Sequence, residues 1–465
     1  MFNQDKLNRF LVEHKIVEIP VWENYPPRGN YYHNSQVVVN EVPVKFVLLG
    51  DELTRDFQIG AYFAGQGNYL NRSTHGSTLE NLCVRFDADC LQLKPEKALV
   101  CIGLNDITAF VKKHEDGKMC EADKLAFLGK MREKYRLLCK RAKAVNQTLY
   151  FASLFPVAEE DARKELVTRL NGVISAVCDE FDILFIDLYS ALISTDNGAL
   201  DFNGVYPNVK TYNVLYQELC NALEIPAVEY KVDETEYQKF FEENYPDGYL
   251  FLKNETRRAE FNRKNMQIVL NHMPVDIVFI GDSITEQYAT DVYFGEYGRI
   301  INRGYGGEQV QQLVNRFESD ALALKPRLVI LASGINDTIP FYQKFTKGEE
   351  ITETDKHKYL VETRIAYRQA LEKAREAGIP LWIATILPLG TKDFRTDFLM
   401  ANNEQIKKLC KEYDTVCLDY HAQTIQDDGR TFIKDMHFGD DLHPHVKGYN
   451  VLSGIAKEQL KKENF

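Results

Sequence analysis

The chain has 465 residues, 45% of them hydrophobic and 27% charged, with a formal net charge of −12. That length exceeds one ordinary domain and suits two or three, each large enough to bury a full core. The acidic balance excludes nucleic acid as a partner, because phosphate recognition needs a basic face, and it argues against docking on anionic lipid.

The first nineteen residues, MFNQDKLNRFLVEHKIVEI, are interrupted by Asp5, Lys6, Arg9, Glu13 and His14. They lack the apolar run and small-residue cleavage site of a signal peptide. No stretch reaches the ~20 apolar residues that a membrane helix needs. A cytoplasmic protein without a membrane span is the expectation. The nine cysteines, seven before residue 226 and two after it, then read as reduced thiols, several within apolar segments such as ALVCIG around Cys101 and DTVCLD around Cys417. Cys83 and Cys90 lack the paired spacing of a zinc site.

Further along, the chain repeats itself. ENYP occurs at 23–26 and again at 243–246, and VKFVLLGDELT at 44–54 is answered by VDIVFIGDSIT at 275–285. From Val44 to Ile107 against Val275 to Thr338, a constant offset of 231 gives 22 identities in 64 positions. Later matches follow after small insertions, among them Asn171/Asn403, Asp187/Asp419 and Pro207/Pro444. The repeat units are therefore set at 21–226 and 241–460, with a charged connector, PAVEYKVDETEYQKF, between them. A connector that is short and poor in glycine and serine predicts two domains docked on each other rather than loosely tethered.

Within each unit, short runs rich in β-branched residues, such as VDIVFIGD, RLVILASG and PLWIATILP, are predicted as buried strands. Between them, EQVQQLVNRFESDALAL places Val310, Leu313, Val314, Phe317 and Leu322 toward one side of a helix. LVETRIAYRQALEKAREAG does the same with Leu360, Ile365, Ala366, Ala370 and Ala374, and ends at Gly378, a C-terminal signal. Strands alternating with helices predict α/β domains, each with a parallel sheet covered on both faces and with its site at the carboxyl ends of the strands.

The residues suited to chemistry fall at those ends. In the second unit, IVFI runs into Gly281-Asp282-Ser283, which holds a serine at the sheet's edge. A serine needs a base before it can attack. Asp440-Asp441-Leu442-His443-Pro444 offers one, since an aspartate three residues before a histidine on a tight turn can hold Nδ1–H and leave Nε2 to face the serine. Donors for an oxyanion are available from Gly307 in NRGYGG and Asn336 in GIND. Taken singly, Ser283 could instead cap a helix and Asn336-Asp337 form a turn. His443 and His445 lack a third partner for a metal, and His437 reads as a loop residue. Tyr305, Phe341, Tyr342, Phe394 and Phe398 are candidates for a substrate pocket or for core.

Together, Gly281-Asp282-Ser283, Gly307, Gly334-x-Asn336-Asp337 and Asp440-x-x-His443-Pro444 resemble, in order, the four blocks of the SGNH (GDSL-type) hydrolases. The resemblance covers about 190 residues of the second unit. It implies a flavodoxin-like α/β/α fold, no metal or cofactor, Ser283 as nucleophile, and His443 as base oriented by Asp440. It also implies an oxyanion hole made by the Ser283 and Gly307 N–H groups and the Asn336 amide. Asp441 departs from the pattern, standing where glycine is frequent.

The first unit retains Gly76 and Asn105 but has Glu52, Asn203 and Tyr206 where the second has Ser283, Asp440 and His443. It is expected to be a non-catalytic copy that maintains the fold or binds a ligand. The expectation for the whole chain is a serine esterase acting through an acyl-enzyme on a small soluble ester, with an acetylated sugar as first candidate. A lysophospholipase or thioesterase is the alternative within the fold, and a non-enzymatic ligand-binding protein the alternative outside it.

Overall fold

The computed structural model describes residues 28–114, 119–158, 161–193, 207–233, 235, 236, 239, 242 and 257–465. In the first repeat the principal elements are α1 (Arg28–Val39), β1 (Phe46–Gly50), α2 (Glu52–Arg55), β2 (Tyr69–Asn71), α3 (Leu79–Phe86), β3 (Lys97–Cys101), α4 (Leu104–Lys113), α5 (Glu121–Ala144), β4 (Leu149–Ala152), α6 (Lys164–Phe181), β5 (Phe185–Ile186) and α7 (Val209–Leu223). The second repeat contributes α8 (Arg257–Leu270), β6 (Ile277–Gly281), α9 (Ser283–Glu286), α10 (Thr290–Phe294), β7 (Ile300–Gly304), α11 (Val310–Asp320), β8 (Leu328–Ala332), α12 (Ile339–Thr346), α13 (Glu353–Glu376), β9 (Leu381–Ala384), α14 (Phe394–Glu412), β10 (Cys417–Leu418) and α15 (Val446–Lys462).

Each repeat builds one five-stranded sheet, ordered β2-β1-β3-β4-β5 in the first and β7-β6-β8-β9-β10 in the second. Every pairing is parallel. The strand signal was a continuous apolar run rather than an alternation, and the burial explains it. All five residues of β6 are buried. Ile277 and Phe279 join Ile330, Trp382, Tyr449, Leu452, Ala456 and Leu460 in one core cluster. Val278 and Ile280 point to the opposite face and are equally buried. A strand covered on both sides has no polar position to spare.

The helices follow their sequence signals with two corrections. α11 ends at Asp320, and Leu322–Leu324 form a separate 3-10 turn rather than its last turn. α13 starts earlier than its apolar pattern, at a Thr352–Asp355 capping box, and buries Tyr359, Thr363, Ala366, Tyr367, Ala370, Leu371 and Ala374. Ile365, assigned to that face, is 50% exposed, because the stripe runs through Thr363 and Tyr367 on either side of it. Gly378 follows the helix at φ +67°, as its C-terminal signal predicts.

Two compact units result, and their membership differs from the division at 21–226 and 241–460. One unit takes Pro274–Phe465 together with Ser35–Glu41; the other takes the described part of Val42–Met273 together with 28–34. The stretch 35–41 thus belongs with the second sheet and α8 with the first, an exchange that apolar spacing cannot reveal. All nine cysteines are unbridged, and seven are buried. No helix among the described residues is long and apolar enough to cross a membrane.

Candidate active site

β6 delivers its last residues to a crowded turn. A Cβ on Gly281 would lie 2.1 Å from the Ala332 carbonyl oxygen and 2.2 Å from Thr285 Oγ1, so only glycine fits. Asp282, fully buried, caps α9 by accepting the Ile284 N–H at 3.0 Å. The helix cap is therefore Asp282. Ser283, at the first helical position, keeps its hydroxyl for another partner.

That partner comes from a loop 160 residues later in the chain. Ser283 Oγ lies 2.9 Å from His443 Nε2, and His443 Nδ1 lies 2.7 Å from Asp440 Oδ2. Asp440 Oδ1 accepts the backbone N–H groups of Leu442 and His443 at 3.1 and 2.9 Å. Burial pushes the Asp440 carboxyl upward, but the hydrogen bonds from the His443 ring and these two N–H groups outweigh it and hold the acid down at about 2. The turn is anchored on both sides. Phe438 N–H donates to the His443 carbonyl at 3.0 Å, and His445 N–H donates to the Met436 carbonyl at 2.9 Å. Asp441 sits at φ +61°, the left-handed region that explains why glycine is frequent there, and its carbonyl is fixed by the Gly390 N–H at 2.9 Å.

The neighbouring histidines have local duties. His445 caps α15 through Nδ1, which accepts the Lys447 N–H at 3.0 Å, and burial pushes its ring down to about 4. His437 Nδ1 accepts the Gly439 N–H at 3.1 Å inside the same loop.

Asn336 donates one amide hydrogen to the Glu308 carbonyl at 3.0 Å. Asp337 caps α11 by accepting the Val310 N–H at 3.3 and 3.2 Å. Gly307 adopts φ +81°, and a Cβ there would meet nothing within 4 Å. Sequence reading missed the buried support beneath these loops. Arg316 reaches Glu308 at 2.5 Å, Asp320 at 3.2 Å and the Arg303 carbonyl at 2.9 Å. The signal was present, since Arg85/Arg316 and Asp89/Asp320 are among the repeat's identities and Arg85 pairs with Asp89 at 2.8 Å.

Among the candidate pocket aromatics, Phe341 and Phe398 are core, packed edge to face at 5.6 Å. Phe394 packs on Phe398 at 5.1 Å. Tyr342 is exposed beneath the Arg395 guanidinium, and Tyr305 is also exposed.

In the first unit, Glu52 occupies the position of Ser283, and its Oε2 accepts the Gly76 N–H at 3.1 Å and an Asn105 amide hydrogen at 2.6 Å. Asn105 is held by the Ser77 carbonyl at 3.0 Å, as Asn336 is by that of Glu308. The two donors that survive in this copy thus close on a carboxylate supplied by the chain itself. Asp106, the counterpart of Asp337, accepts the Leu79 N–H at 2.8 Å and so ties the segment after β3 to the start of α3. Asn203 and Tyr206 lie outside the described residues.

Two matches to one family, over residues 48–214 and 279–451, decide the kinship. The chain belongs to the GDSL-like lipase/acylhydrolase family. It carries two copies of that domain in tandem, and ester hydrolysis is its chemistry at the level the family shares. Among curated relatives, an acetylxylan esterase of Geobacillus stearothermophilus is 26% identical over 215 residues, covering 38% of this chain and 90% of the relative. An acetylxylan esterase of Xylanibacter ruminicola is 23% identical over 216 residues, covering 40% of this chain and 43% of the relative. Similar solved structures include a GDSL-like lipase from Bacteroides thetaiotaomicron, at 20% identity and TM-score 0.33 over 40% of this chain and 88% of that one. Another is an acetylxylan esterase from Geobacillus stearothermophilus, at 22% identity and TM-score 0.32 over 41% and 94%.

The acid beside the serine sets a pH dependence in this acylhydrolase. Burial raises Asp282 to about 7. Between the unfolded carboxyl value of about 4 and this folded value, the native chain holds a proton that the unfolded chain has released. Stability therefore falls as pH rises through that window, with the loss complete above it. Asp282→Asn, which can still cap α9, is expected to flatten the slope of unfolding free energy against pH between about 4 and 7. Urea unfolding at a series of pH values measures this, and an unchanged slope would return Asp282 to the ordinary carboxyl range.

Proposed function

We propose that the chain hydrolyses O-acetyl esters of a small carbohydrate, through an acyl-enzyme on Ser283 in the second domain. The observation that carries the reading is the unbroken line Ser283 Oγ, His443 Nε2, His443 Nδ1, Asp440 Oδ2, with spacings of 2.9 and 2.7 Å. His443 takes the Ser283 proton as Oγ attacks the acetyl carbon, and Asp440 steadies the resulting imidazolium. The imidazolium then protonates the departing sugar hydroxyl. Water, deprotonated by His443, releases acetate and restores Ser283.

The negative oxygen of each tetrahedral intermediate is assigned to the Ser283 and Gly307 N–H groups and the second Asn336 amide hydrogen. The first domain supports this assignment, because the equivalent Gly76 and Asn105 donors there already converge on one side-chain oxygen, Glu52 Oε2. With its donors closed on Glu52, that domain is read as non-catalytic. The acetyl-sugar assignment draws on the acetylxylan esterases that the chain resembles.

A panel of p-nitrophenyl esters from acetyl to dodecanoyl, run beside acetylated xylo-oligosaccharides, tests the substrate. The expected result is a kcat/KM that is highest for acetyl and falls with chain length, with acetate released from the sugars. A maximum at octanoyl or longer would replace this reading with a lipid-directed one, and no hydrolysis of any ester with the folded chain would leave a binding protein.

A further inference from the structure

The seven residues Ser35–Glu41 lie near the start of the silent repeat in sequence but belong to the compact unit of Pro274–Phe465. Their contacts there fall on the segments that follow each member of the proposed catalytic pair. Gln36 Nε2 donates to the Gln287 carbonyl at 2.8 Å, and Gln36 Oε1 accepts the Ala289 N–H at 3.1 Å. Gln287 ends α9 and Ala289 opens α10, and the Gln287 N–H in turn donates to the Ser283 carbonyl at 3.1 Å. One turn further along, Asn40 Nδ2 donates to Asn450 Oδ1 at 3.0 Å and to Tyr293 Oη at 2.9 Å, and Asn450 Nδ2 donates back to Asn40 Oδ1 at 2.9 Å. Asn450 lies on α15, whose cap, His445, is two residues past His443. The neighbouring Tyr449 closes the loop by donating to the Ile284 carbonyl at 2.8 Å. One short stretch thus grips the helix bearing Ser283 and the helix leading away from His443.

The other unit repeats the device. Gln267 Nε2 donates to the Asp56 carbonyl at 2.8 Å, and its Oε1 accepts the Gln58 N–H at 3.0 Å. Asn271 Nδ2 bonds Tyr62 Oη at 3.0 Å and Asn213 Oδ1 at 2.8 Å. Gln36/Gln267, Asn40/Asn271, Asp56/Gln287, Gln58/Ala289 and Tyr62/Tyr293 all stand 231 residues apart, and Asn213/Asn450 stand 237 apart. Six positions in register, in both copies, make a built clamp rather than a chance contact.

We propose that Gln36 and Asn40 are positioning residues for the Ser283–His443 pair, supplied to the catalytic unit from the start of the silent repeat. The inference rests on the reading of Ser283 and His443 given above. It gives the N-terminal part of the chain a place in catalysis without chemistry of its own. Removing the clamp loosens the spacing between nucleophile and base, which lowers turnover with little effect on substrate binding.

The test compares Gln36→Ala with Gln267→Ala in the full-length chain, with Ser283→Ala alongside and p-nitrophenyl acetate as substrate. Both glutamine variants lose the same pair of bonds, so similar drops in Tm are expected from each. Gln36→Ala is expected to lower kcat roughly 10- to 100-fold with KM within about twofold, while Gln267→Ala keeps the parental kcat. If Gln36→Ala does not fold, Gln36→Glu and Gln267→Glu, which keep the acceptor and lose the donor, carry the same comparison. Parental kcat in the Gln36 variant, or equal kcat losses in both, with Ser283→Ala inactive, overturns the positioning role and leaves the site reading intact. Activity that survives Ser283→Ala overturns the site reading and the positioning role with it.

Discussion

Ser283→Ala is expected to lower turnover of p-nitrophenyl acetate by at least ~10³-fold, with the folded state undisturbed. The fold is spared because Asp282, not Ser283, caps α9, and the lost hydroxyl is partly exposed rather than packed. The rate falls because nothing else on that turn can form the acyl-enzyme. Glu52→Ala is the control at the equivalent position. It removes a buried carboxylate that accepts from Gly76 and Asn105. It should destabilise the first unit by about 1–3 kcal/mol through unpaired donors and leave kcat close to parental. Steady-state kinetics paired with urea unfolding separates the two effects. Comparable losses of kcat in both variants would show that the two copies had been assigned the wrong roles.

Much of this was legible in the sequence because the repeat supplied its own comparison. Two apolar runs ending in Gly-Asp fixed the first strand of each sheet, and the loops that follow the strands carried Gly307, Asn336 and the Asp440–His443 turn. Chain order and strand ends suffice to bring such residues to one edge, since every strand of a parallel sheet points the same way. What stayed hidden depends on which surfaces meet. The largely polar sequences of α1 and α8, RGNYYHNSQVVV and RRAEFNRKNMQIVL, do not announce that these helices are buried, and say nothing of which sheet buries them. The stripe on α13 was misread at Ile365 because Tyr367 and Thr363, amphipathic in sequence, take the inward positions. That Glu52 closes the surviving donors could not be seen either, because a substituted nucleophile and a plugged site look alike until the carboxylate has coordinates.

Asp440→Asn is expected to lower kcat by about 10³- to 10⁴-fold while KM holds. The argument is one of tautomers. As a carboxylate, held down at about 2, Asp440 accepts from His443 Nδ1 and from two backbone N–H groups. Asparagine can keep the backbone bonds through its carbonyl oxygen. Its amide then donates toward Nδ1, which favours the imidazole with its proton on Nε2, facing Ser283 Oγ across the 2.9 Å contact. A ring protonated there cannot accept the serine's proton. Asp440→Ala lacks the opposing donor and should retain more activity than Asp440→Asn despite the larger deletion, the reverse of what a purely structural role predicts. The pH dependence of stability gives a second check. The Asp440 carboxyl is depressed on folding, so its contribution is full above the unfolded value of about 4 and is lost as pH falls through about 2. The stability difference between parent and Asp440→Asn should therefore shrink as that acid range is entered. A loss of less than tenfold in kcat for Asp440→Asn would remove Asp440 from the line and leave Ser283 and His443 to act as a pair.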